Sequence, residues 1–361
     1  DWLLINGELR LRFEAFEGED FNDREDDPAE RSGVIGENDE WLLTRLHLNI
    51  DAHVNEYLRL YLTLASAHLF EDEHHESTRP STRWNWEQDR LDIFEAYADL
   101  KLQPGIHLKL GRQVLQYGSG RYLAEYDYWN VANSFNAVRL QVRRRTWEFD
   151  AVVAQYVVTD DGNLNDTDDS YSGRAGRIHS GTWDDDTIYG AFVTWPDATG
   201  TTLELYGFAR ENANQDSHVY TLGTRVYGMA GIGWDYEAEL MVQPGYERYA
   251  LDHRAWAATA VCGYTWYNRR HAPRLFAGYD YASGDKNVTD ADNEGFDQVY
   301  DDGFTHLGYQ EFFRRYNLHA VHAGMESHWP HGIVFVATLH SFWVDNDDDQ
   351  WKNWYRRVVR T

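Results

Sequence analysis

The sequence predicts an all-β protein, a transmembrane antiparallel β-barrel with up-and-down topology. Three observations support this fold class. Apolar and polar residues alternate with a period of two in about sixteen segments, as in strands with two different faces. The segments are about 10–14 residues long, enough for a tilted strand to cross a bilayer. The connections are alternately short and long, so we expect a single barrel domain over 1–361.

The alternation is clearest in the segment 8–16. Apolar residues share one face and charged residues the other, with Leu9, Leu11, Phe13 and Ala15 against Glu8, Arg10, Arg12 and Glu14. The pattern recurs at 45–50, 57–64, 94–102 and 138–143, and Phe94 then falls on the apolar face with Leu100. A soluble β-sandwich also alternates, but its strands are usually about 5–6 residues long. Charges at mid-strand favour a barrel with a water-filled lumen.

The composition agrees with this fold and argues against other classes. The mean hydropathy is −0.67, and no run of about 18 apolar residues offers a transmembrane helix. The 15 Trp and 24 Tyr are typical of the aromatic girdles at the two membrane interfaces. A net charge of −27 argues against nucleic acid as a partner. Cys262 is the only cysteine, so no intramolecular disulfide forms.

The connections fall into two classes, which in outer-membrane barrels are short periplasmic turns and long extracellular loops. Short ones are predicted at 52–55, 103–105, 144–146, 196–201, 228–231, 268–273 and 329–332. Long ones are predicted at 17–40, 71–89, 117–134, 159–182, 211–217, 244–251, 284–315 and 345–353. This order places the N-terminus in the periplasm. Within 284–315, the stretch 304–309 is an alternative strand.

Basic residues recur on the polar faces of the predicted strands. By parity, eight of them point into the lumen: Arg10, Arg12, Arg45, Arg59, Lys109, Arg139, Arg143 and Arg225. Such cations select anions, because each offsets part of the desolvation of a passing anion. The alternative is that they pair with the lumen carboxylates of Glu8, Glu14, Glu95 and Asp99 and make the wall rigid.

Arg112 needs a separate prediction. Counted from Leu108 and Leu110, it falls on the lipid face, where an arginine near the midplane costs about 2–4 kcal/mol. We therefore expect a bulge at Gly111, or the end of the strand, to place Arg112 in water.

Signals for catalysis or metal binding are weak. The tripeptide Gly118-Ser119-Gly120 lacks the strand–turn–helix context of a nucleophile elbow, so no enzyme activity is expected. His74-His75 lies in a charged segment that we interpret as a solvated loop. No cofactor is expected. The Asp-rich long connections could bind calcium or bridge lipopolysaccharide through divalent cations, although none has EF-hand spacing.

Several motifs resemble those of the bacterial alginate export porins of the outer membrane. They are Leu110-Gly111-Arg112-Gln113 with Tyr117-Gly118, then Asp127, Trp129, Asn130, Phe135 and Arg139, then Pro273-Arg274-Leu275, Gly278-Tyr279-Asp280-Tyr281 and Ser283-Gly284-Asp285, and finally Asn317-Leu318. The resemblance implies a monomeric barrel of 18 strands that passively exports a polyuronate through an arginine-rich constriction.

The resemblance also implies roles for single residues. By motif, Arg112, Arg139 and Arg274 would be wall or constriction residues, and Arg10 with Arg12 fits the family's R-x-R opening. Two departures stand out. Asn136 replaces the usual Asp, which removes an ion pair. Only about sixteen strands are counted before the chain stops at Thr361, so either the last strand pair is missing or the barrel is smaller.

Four functional hypotheses follow. The first is a passive bacterial outer-membrane channel for an anionic polysaccharide, supplied by a periplasmic export machinery. The second is a substrate-specific porin for small anionic or aromatic solutes. The third is an adhesion module that uses acidic loops, and the fourth is an outer-membrane hydrolase, which lacks a credible Ser/His pair. Conductance with block by polyuronate or by small anions would separate the first two.

Overall fold

The computed structural model describes residues 2–16, 39–71, 88–157, 186–197, 199–212, 216–247, 251–309, 313–349, 351–352 and 358–360. Its strands are β1 Leu3–Phe16, β2 Asp39–His53, β3 Leu58–Glu71, β4 Asp89–Gln103, β5 Ile106–Gln113, β6 Phe135–Arg143, β7 Glu148–Tyr156, β8 Asp186–Pro196, β9 Thr201–Asn212, β10 Ser217–Met229, β11 Trp234–Glu247, β12 Leu251–Thr265, β13 Arg274–Ala282, β14 Asp292–Asn293, β15 Leu318–His328, β16 Val334–Trp343, β17 Trp351–Lys352 and β18 Val358–Arg360. One short helix, α1, spans Gly303–Leu307.

Strands that are neighbours in the chain are neighbours in the sheet. The order runs from β1 to β13 and then through β15 to β16, and the two-residue β14 pairs in parallel with β12. The other described pairings are antiparallel, and β17 with β18 forms a separate pair. These pairings confirm the all-β, up-and-down prediction, whereas the count of 18 barrel strands stays a prediction.

The chain divides into two compact units. Unit 1 contains Asp1–Gln116, Ala124–Arg139 and Ala154–Asp186, and unit 2 contains Tyr117–Leu123, Leu140–Val153 and Thr187–Thr361. Strands β1–β5 belong to unit 1 and β9–β18 to unit 2. The prediction of a single domain is not decided by this division and stays a prediction.

In unit 1, cross-strand partners share the character of their face. Leu9 lies opposite Leu46, and Arg10 lies opposite Arg45, so one face of the β1–β2 pair is apolar and the other polar. The register of β2 with β3 continues the pattern, with Leu48 opposite Leu64. Because the side-chain period of a strand is two, this register aligns the predicted lumen residues on one face.

Phe94 departs from the prediction. The register of β3 with β4 shifts between Thr63 and Leu64, whose partners are Glu95 and Ile93, so Phe94 is left without a cross-strand partner in β3. Its ring is buried and stacks on His47 of the polar face at 5.1 Å between ring centroids. The predicted place of Phe94 on the apolar face is therefore wrong, because a bulge changes the parity of the strand.

In unit 2, two connections predicted to be long are short. Pro244 lies inside β11, opposite Arg254 of β12, and the connection is only 248–250. The register of β11 with β10 is interrupted between Val219 and Leu222 of β10. Pro244 of β11 lies beside this break, so the N–H that proline lacks is not needed for strand pairing there. Likewise, β9 ends at Asn212 and β10 begins at Ser217. The predictions of long connections at 244–251 and 211–217 are wrong.

The remaining connections agree with the prediction where they are described, except that the predicted connection 345–353 contains β17. The seven predicted short connections are turns of a few residues between consecutive strands. The connection after β13 contains β14 and α1, and the stretch 304–309 begins in α1 rather than forming a strand. The predicted long connections 17–40, 71–89 and 159–182 lie, apart from flanking strand residues, outside the described residues.

The apolar faces of both units are exposed. Leu9 and Leu46 in unit 1, and Leu222 and Leu240 in unit 2, are large apolar side chains without cover. Some of the exposed aromatic residues lie at the short turns, among them Tyr57, Trp234, Tyr267 and Trp329. No helix among the described residues has the length and hydropathy to cross a bilayer. Contiguous apolar surface of this extent indicates a lipid environment.

Candidate functional site

In unit 1, the segment 124–134 between β5 and β6 is bound to the polar face of β1. Arg10 donates hydrogen bonds from Nη1 to the Asp127 carbonyl at 2.7 Å and from Nη2 to the Trp129 carbonyl at 2.6 Å. Arg12 donates to the Tyr128 carbonyl and lies over the Tyr128 ring. Both predicted lumen arginines therefore hold a loop backbone.

Arg45 of β2 is the most buried of the predicted site residues, with 2% of its side chain exposed. Nη1 donates to Asp127 Oδ1 at 2.6 Å, and Nη2 donates to Glu8 Oε1 at 2.7 Å. Asn130 adds a hydrogen bond to the Thr44 carbonyl at 3.1 Å. A guanidinium withdrawn from water needs such charged partners. Arg45 thus connects the segment 124–134 to the wall.

The same segment packs on apolar side chains of the polar face. Val131 and Ala132 line a small cavity together with Ala65 and Phe94, and Ala132 and Phe94 are buried. The far end of β2 is apolar on this face too, since Leu43 is buried. The segment 124–134 therefore covers part of the polar face.

Arg59 and Lys109 lie on the polar face of β3–β5, as predicted. Arg59 forms a two-point ion pair with Asp51, with Nε to Oδ1 at 2.7 Å and Nη2 to Oδ2 at 3.0 Å, and 31% of its side chain is exposed. Lys109 Nζ lies over the Tyr97 ring, 5.2 Å from its centroid. Tyr97 stacks on Tyr61 with centroids 5.2 Å apart. These side chains are only half-buried, unlike Arg45.

Arg112 is paired with polar groups. Nη1 donates to Asp92 Oδ2 at 3.2 Å and to the Ile93 carbonyl at 2.6 Å, and Nε lies 3.4 Å from Asn136 Oδ1. The register of β4 with β5 is continuous at Gly111, so the predicted pairing bulge is absent there. Gly111 instead has a φ of 125°, which favours glycine, and β5 ends one residue after Arg112. The other alternative predicted for Arg112, a position at the end of the strand, agrees with the structure.

Arg225 and Arg274 of unit 2 are held by carboxylates. Arg225 Nη1 donates to Glu204 Oε2 at 2.8 Å, Nε donates to Glu237 Oε1 at 3.2 Å, and 11% of the side chain is exposed. Arg274 forms a two-point pair with Asp235 at 2.6 and 2.9 Å. These are ion pairs of the kind that a rigid wall requires, but their carboxylates are Glu204, Glu237 and Asp235 rather than those predicted from the sequence.

The two remaining predicted residues are on β6. Arg143 is 64% exposed beside the short turn and approaches Glu148 Oε2 at 3.6 Å. Arg139 is half-buried and is not without partners. Within its own unit, each of the ten predicted residues therefore lies on a polar face or at a strand end, and most of them are held by carboxylates or backbone carbonyls.

Unit 2 contains a buried ionic network that the sequence did not indicate. Arg121, from the segment 117–123, pairs with Glu237 and, at 3.1 Å, with Glu239. Arg315 donates from Nη1 to Asp280 Oδ1 at 2.9 Å, and Arg121 Nε lies 3.7 Å from the same oxygen. Asp301 completes the network 4.0 Å from Arg315 Nε, and burial raises the pKa of Asp301 to about 7.

The same network joins two connections of unit 2. Leu123 and Tyr300 form a parallel β-bridge. The Tyr300 N–H donates to the Tyr122 carbonyl at 3.1 Å, and the Asp302 N–H donates to the Gly120 carbonyl at 2.8 Å. The Gly118-Ser119-Gly120 tripeptide therefore lies in one connection and is hydrogen-bonded to the other, in agreement with its interpretation as a loop tripeptide.

An aromatic cluster lies under the segment 117–123. Tyr117 and Phe192 have ring centroids 5.3 Å apart, and Phe192 stacks on Tyr206 at 5.4 Å. Tyr206 donates its hydroxyl hydrogen to Glu239 Oε1 at 2.6 Å. Gly223 leaves the space that the Tyr206 ring occupies, because a Cβ at this position would lie 2.0 Å from the ring. These rings are buried and act as packing.

Among the described residues, no group of three or more metal-ligating side chains is suitably placed for an ion. His74-His75 and most of the acidic stretches at 17–40 and 159–182 lie outside the described residues. The calcium hypothesis for these connections stays a prediction.

Comparison with known families decides to which protein family this chain belongs. A family model for alginate export matches residues 1–360. This chain belongs to the alginate export family. The resemblance to this family is thereby confirmed, whereas the roles of Arg112, Arg139 and Arg274 stay predictions. This alginate export family member is an antiparallel β-barrel channel of the bacterial outer membrane.

Solved structures of porins share the fold of this alginate export family member. OpdO of Pseudomonas aeruginosa has a TM-score of 0.61 at 13% identity over 97% of this chain and 85% of that chain. A BenF-like porin from Pseudomonas fluorescens Pf-5 has a TM-score of 0.61 at 9% identity over 97% and 85%. OccK2 (OpdF) of P. aeruginosa, in complex with glucuronate, has a TM-score of 0.54 at 12% identity over 94% and 80%. No curated protein matches the sequence.

Proposed function

We propose that this outer-membrane channel conducts an anionic polysaccharide of the polyuronate class, passively and without chemical conversion of the solute. The observation that carries the proposal, beside family membership, is the set of fixed and partly exposed arginines on the polar face. Arg59 and Arg274 are each oriented by two hydrogen bonds to one aspartate, and each side chain remains partly exposed.

The ion pairs suit transport better than unpaired cations would. An unpaired arginine in a narrow lumen would bind a polyanion tightly, whereas conduction requires binding weak enough to release the solute. A carboxylate beside each arginine lowers the net attraction but preserves the hydrogen-bond donors that replace hydration. A series of such weak sites lets a polymer advance, and its direction follows from supply by a periplasmic export machinery.

The second candidate is a porin for small anionic or aromatic solutes. The porin OccK2, which shares the fold at 12% identity, was solved with a single uronate, glucuronate. A monomer and a polymer of uronate offer the same carboxylate to an arginine. The two candidates therefore differ in the length of the solute and in the number of sites that it occupies at once.

The test is ion selectivity and block of single channels in planar bilayers. We expect Arg59→Glu and Arg274→Glu to shift the chloride-to-potassium permeability ratio towards potassium, and uronate oligomers to block the wild type more strongly as their length increases. Arg143→Glu, at an exposed strand end, is the matched control and should change the ratio least. Equal block by monomer and oligomer would favour the small-solute porin, and no block by either would refute both candidates.

A further inference from the structure

The polar face of β3–β5 in unit 1 carries two aromatic rings beside two cations. Tyr61 and Tyr97 stack with centroids 5.2 Å apart and planes inclined by 28°. The Arg59 guanidinium carbon lies 5.2 Å from the centroid of Tyr61, and Lys109 Nζ lies 5.2 Å from that of Tyr97. We propose that these four residues form a subsite for one uronate unit, with the sugar ring against a tyrosine and the carboxylate on Arg59 or Lys109.

This subsite rests on the proposed function and specifies the solute that the channel prefers. Cations alone would attract any anion, including phosphate or a dicarboxylate. A tyrosine ring adds a flat apolar surface with a polar edge, which matches the C–H face and the hydroxyl groups of a sugar. The combination selects a carbohydrate acid over a small inorganic anion.

The register arranges these groups in two adjacent rows. Arg59, Asp99 and Lys109 lie opposite one another across the three strands, and Tyr61, Tyr97 and Gly111 form the next row. Rows on one face are separated by two residues, about 7 Å along a strand. A pyranose ring on the tyrosine row can therefore present its carboxylate to the cation row. At Gly111, β5 contributes no side chain beside Tyr97.

The Arg59 guanidinium is oriented so that it can donate hydrogen bonds to a solute. Asp51 accepts from Nε and Nη2, which fixes the plane of the guanidinium. Nη1 makes no hydrogen bond within the described part of the chain, and 31% of the Arg59 side chain is exposed. The same aspartate moderates the positive charge, which keeps the site weak enough for transport.

A second cation–ring pair in unit 2 serves as the control. The Arg225 guanidinium carbon lies 4.0 Å from the Tyr227 centroid, a contact like that of Arg59 with Tyr61. Arg225, however, is only 11% exposed and donates to both Glu204 and Glu237. This pair lacks the exposed donors that a solute needs, so we expect no subsite there.

The experiment measures block of wild-type single channels by a uronic-acid tetrasaccharide, a neutral glucose tetrasaccharide and glutarate. We expect the double variant Tyr61→Leu and Tyr97→Leu to shorten the residence time of the uronate tetrasaccharide about tenfold, while the chloride-to-potassium permeability ratio stays unchanged. Tyr227→Leu should leave both quantities as in the wild type. The Tyr61→Phe and Tyr97→Phe double variant keeps the rings and should retain most of the residence time.

The outcomes separate this inference from the proposed function. Wild-type channels that are not blocked by the uronate tetrasaccharide would overturn the proposed function itself. Block that is present but equally long in the leucine double variant would overturn the subsite alone. A leucine double variant with a changed permeability ratio, or equal block by the neutral tetrasaccharide, would show that the rings do not provide uronate recognition.

Discussion

Burial separates two roles among residues that look identical in the sequence. Arg45 and Arg59 are both predicted to point into the lumen, yet Arg45 is 2% exposed between Glu8 and Asp127, and Arg59 is 31% exposed beside Asp51. The first arginine holds a loop and the second can meet a solute. The parity of a strand indicates the face of a side chain, but it does not show what covers that face.

We expect Arg45→Gln to loosen the segment 124–134. The variant loses hydrogen bonds from a charged donor to Asp127 and Glu8, which are worth about 2 kcal/mol when partly buried. Thermal unfolding in detergent should show the loss of stability, and single-channel recordings should show larger current fluctuations. Arg59→Gln is the control and should change stability less. Equal effects of the two substitutions would contradict the assigned difference in roles.

Asp301 predicts a specific dependence of stability on pH. Burial raises its pKa to about 7, whereas an unfolded aspartate has a pKa of about 3.9. The folded chain therefore binds the extra proton between these values, and the free energy of unfolding falls as the pH rises from about 4 through 7. Thermal unfolding at pH 5 and pH 8 should show a larger loss for the wild type than for Asp301→Asn. Parallel losses would speak against this site.

The hydrogen-bond and ion-pair partners of the arginines could not be predicted from the sequence, for a physical reason. Arg10 and the Asp127 carbonyl are 117 positions apart, and Arg121 and Glu239 are 118 apart. Such pairs depend on the path of the loops, which carry no periodic signal. Parity assigned eight of the ten cations to the polar face, Arg274 came from the family motif, and the bulge at Phe94 and the end of β5 at Arg112 required the structure.

At the scale of elements, alternation was sufficient to locate the long strands but not their ends. The segments 8–16 and 45–50 lie inside β1 and β2, each of which extends beyond the alternating core. Pro244 falls in the predicted long connection 244–251, yet it lies in β11 beside a local break in the register, which tolerates its missing N–H. Exceptions of this kind depend on the neighbouring strand and cannot be read from the local sequence.

The aromatic packing of β8–β10 depends on glycines. A Cβ on Gly190 would lie 2.0 Å from Phe208 Cδ1. We expect Gly190→Ala to lower the free energy of unfolding by about 1–3 kcal/mol through overpacking. Gly207→Ala in β9 is the control, since its nearest neighbour, Leu222 Cδ2, is 3.2 Å away. Thermal unfolding followed by circular dichroism in detergent compares the two variants. Equal melting temperatures would show that Phe208 moves away from the added methyl group at no cost in free energy.

At the scale of the whole molecule, lipid rather than a dry core accounts for the apolar faces. We expect Leu240→Arg to destabilise the protein in bilayers by about 2–4 kcal/mol if it lies near the midplane. Leu240→Met conserves volume and hydrophobicity and should change the stability by less than about 1.5 kcal/mol. Urea unfolding in lipid vesicles gives both values. An arginine variant as stable as the methionine variant would place this face in water.

The bridge between Leu123 and Tyr300 has a consequence for biogenesis. Its two sides are separated by about half of the chain, including β6–β13, so the entropic penalty of closing this loop is large unless those strands have formed first. An assembling intermediate that lacks the late strands would leave Arg121 without its partner Asp280, which is held in turn by Arg315. The segment 117–123 is therefore fixed in place only when the late strands arrive, which makes its docking one of the last events of assembly.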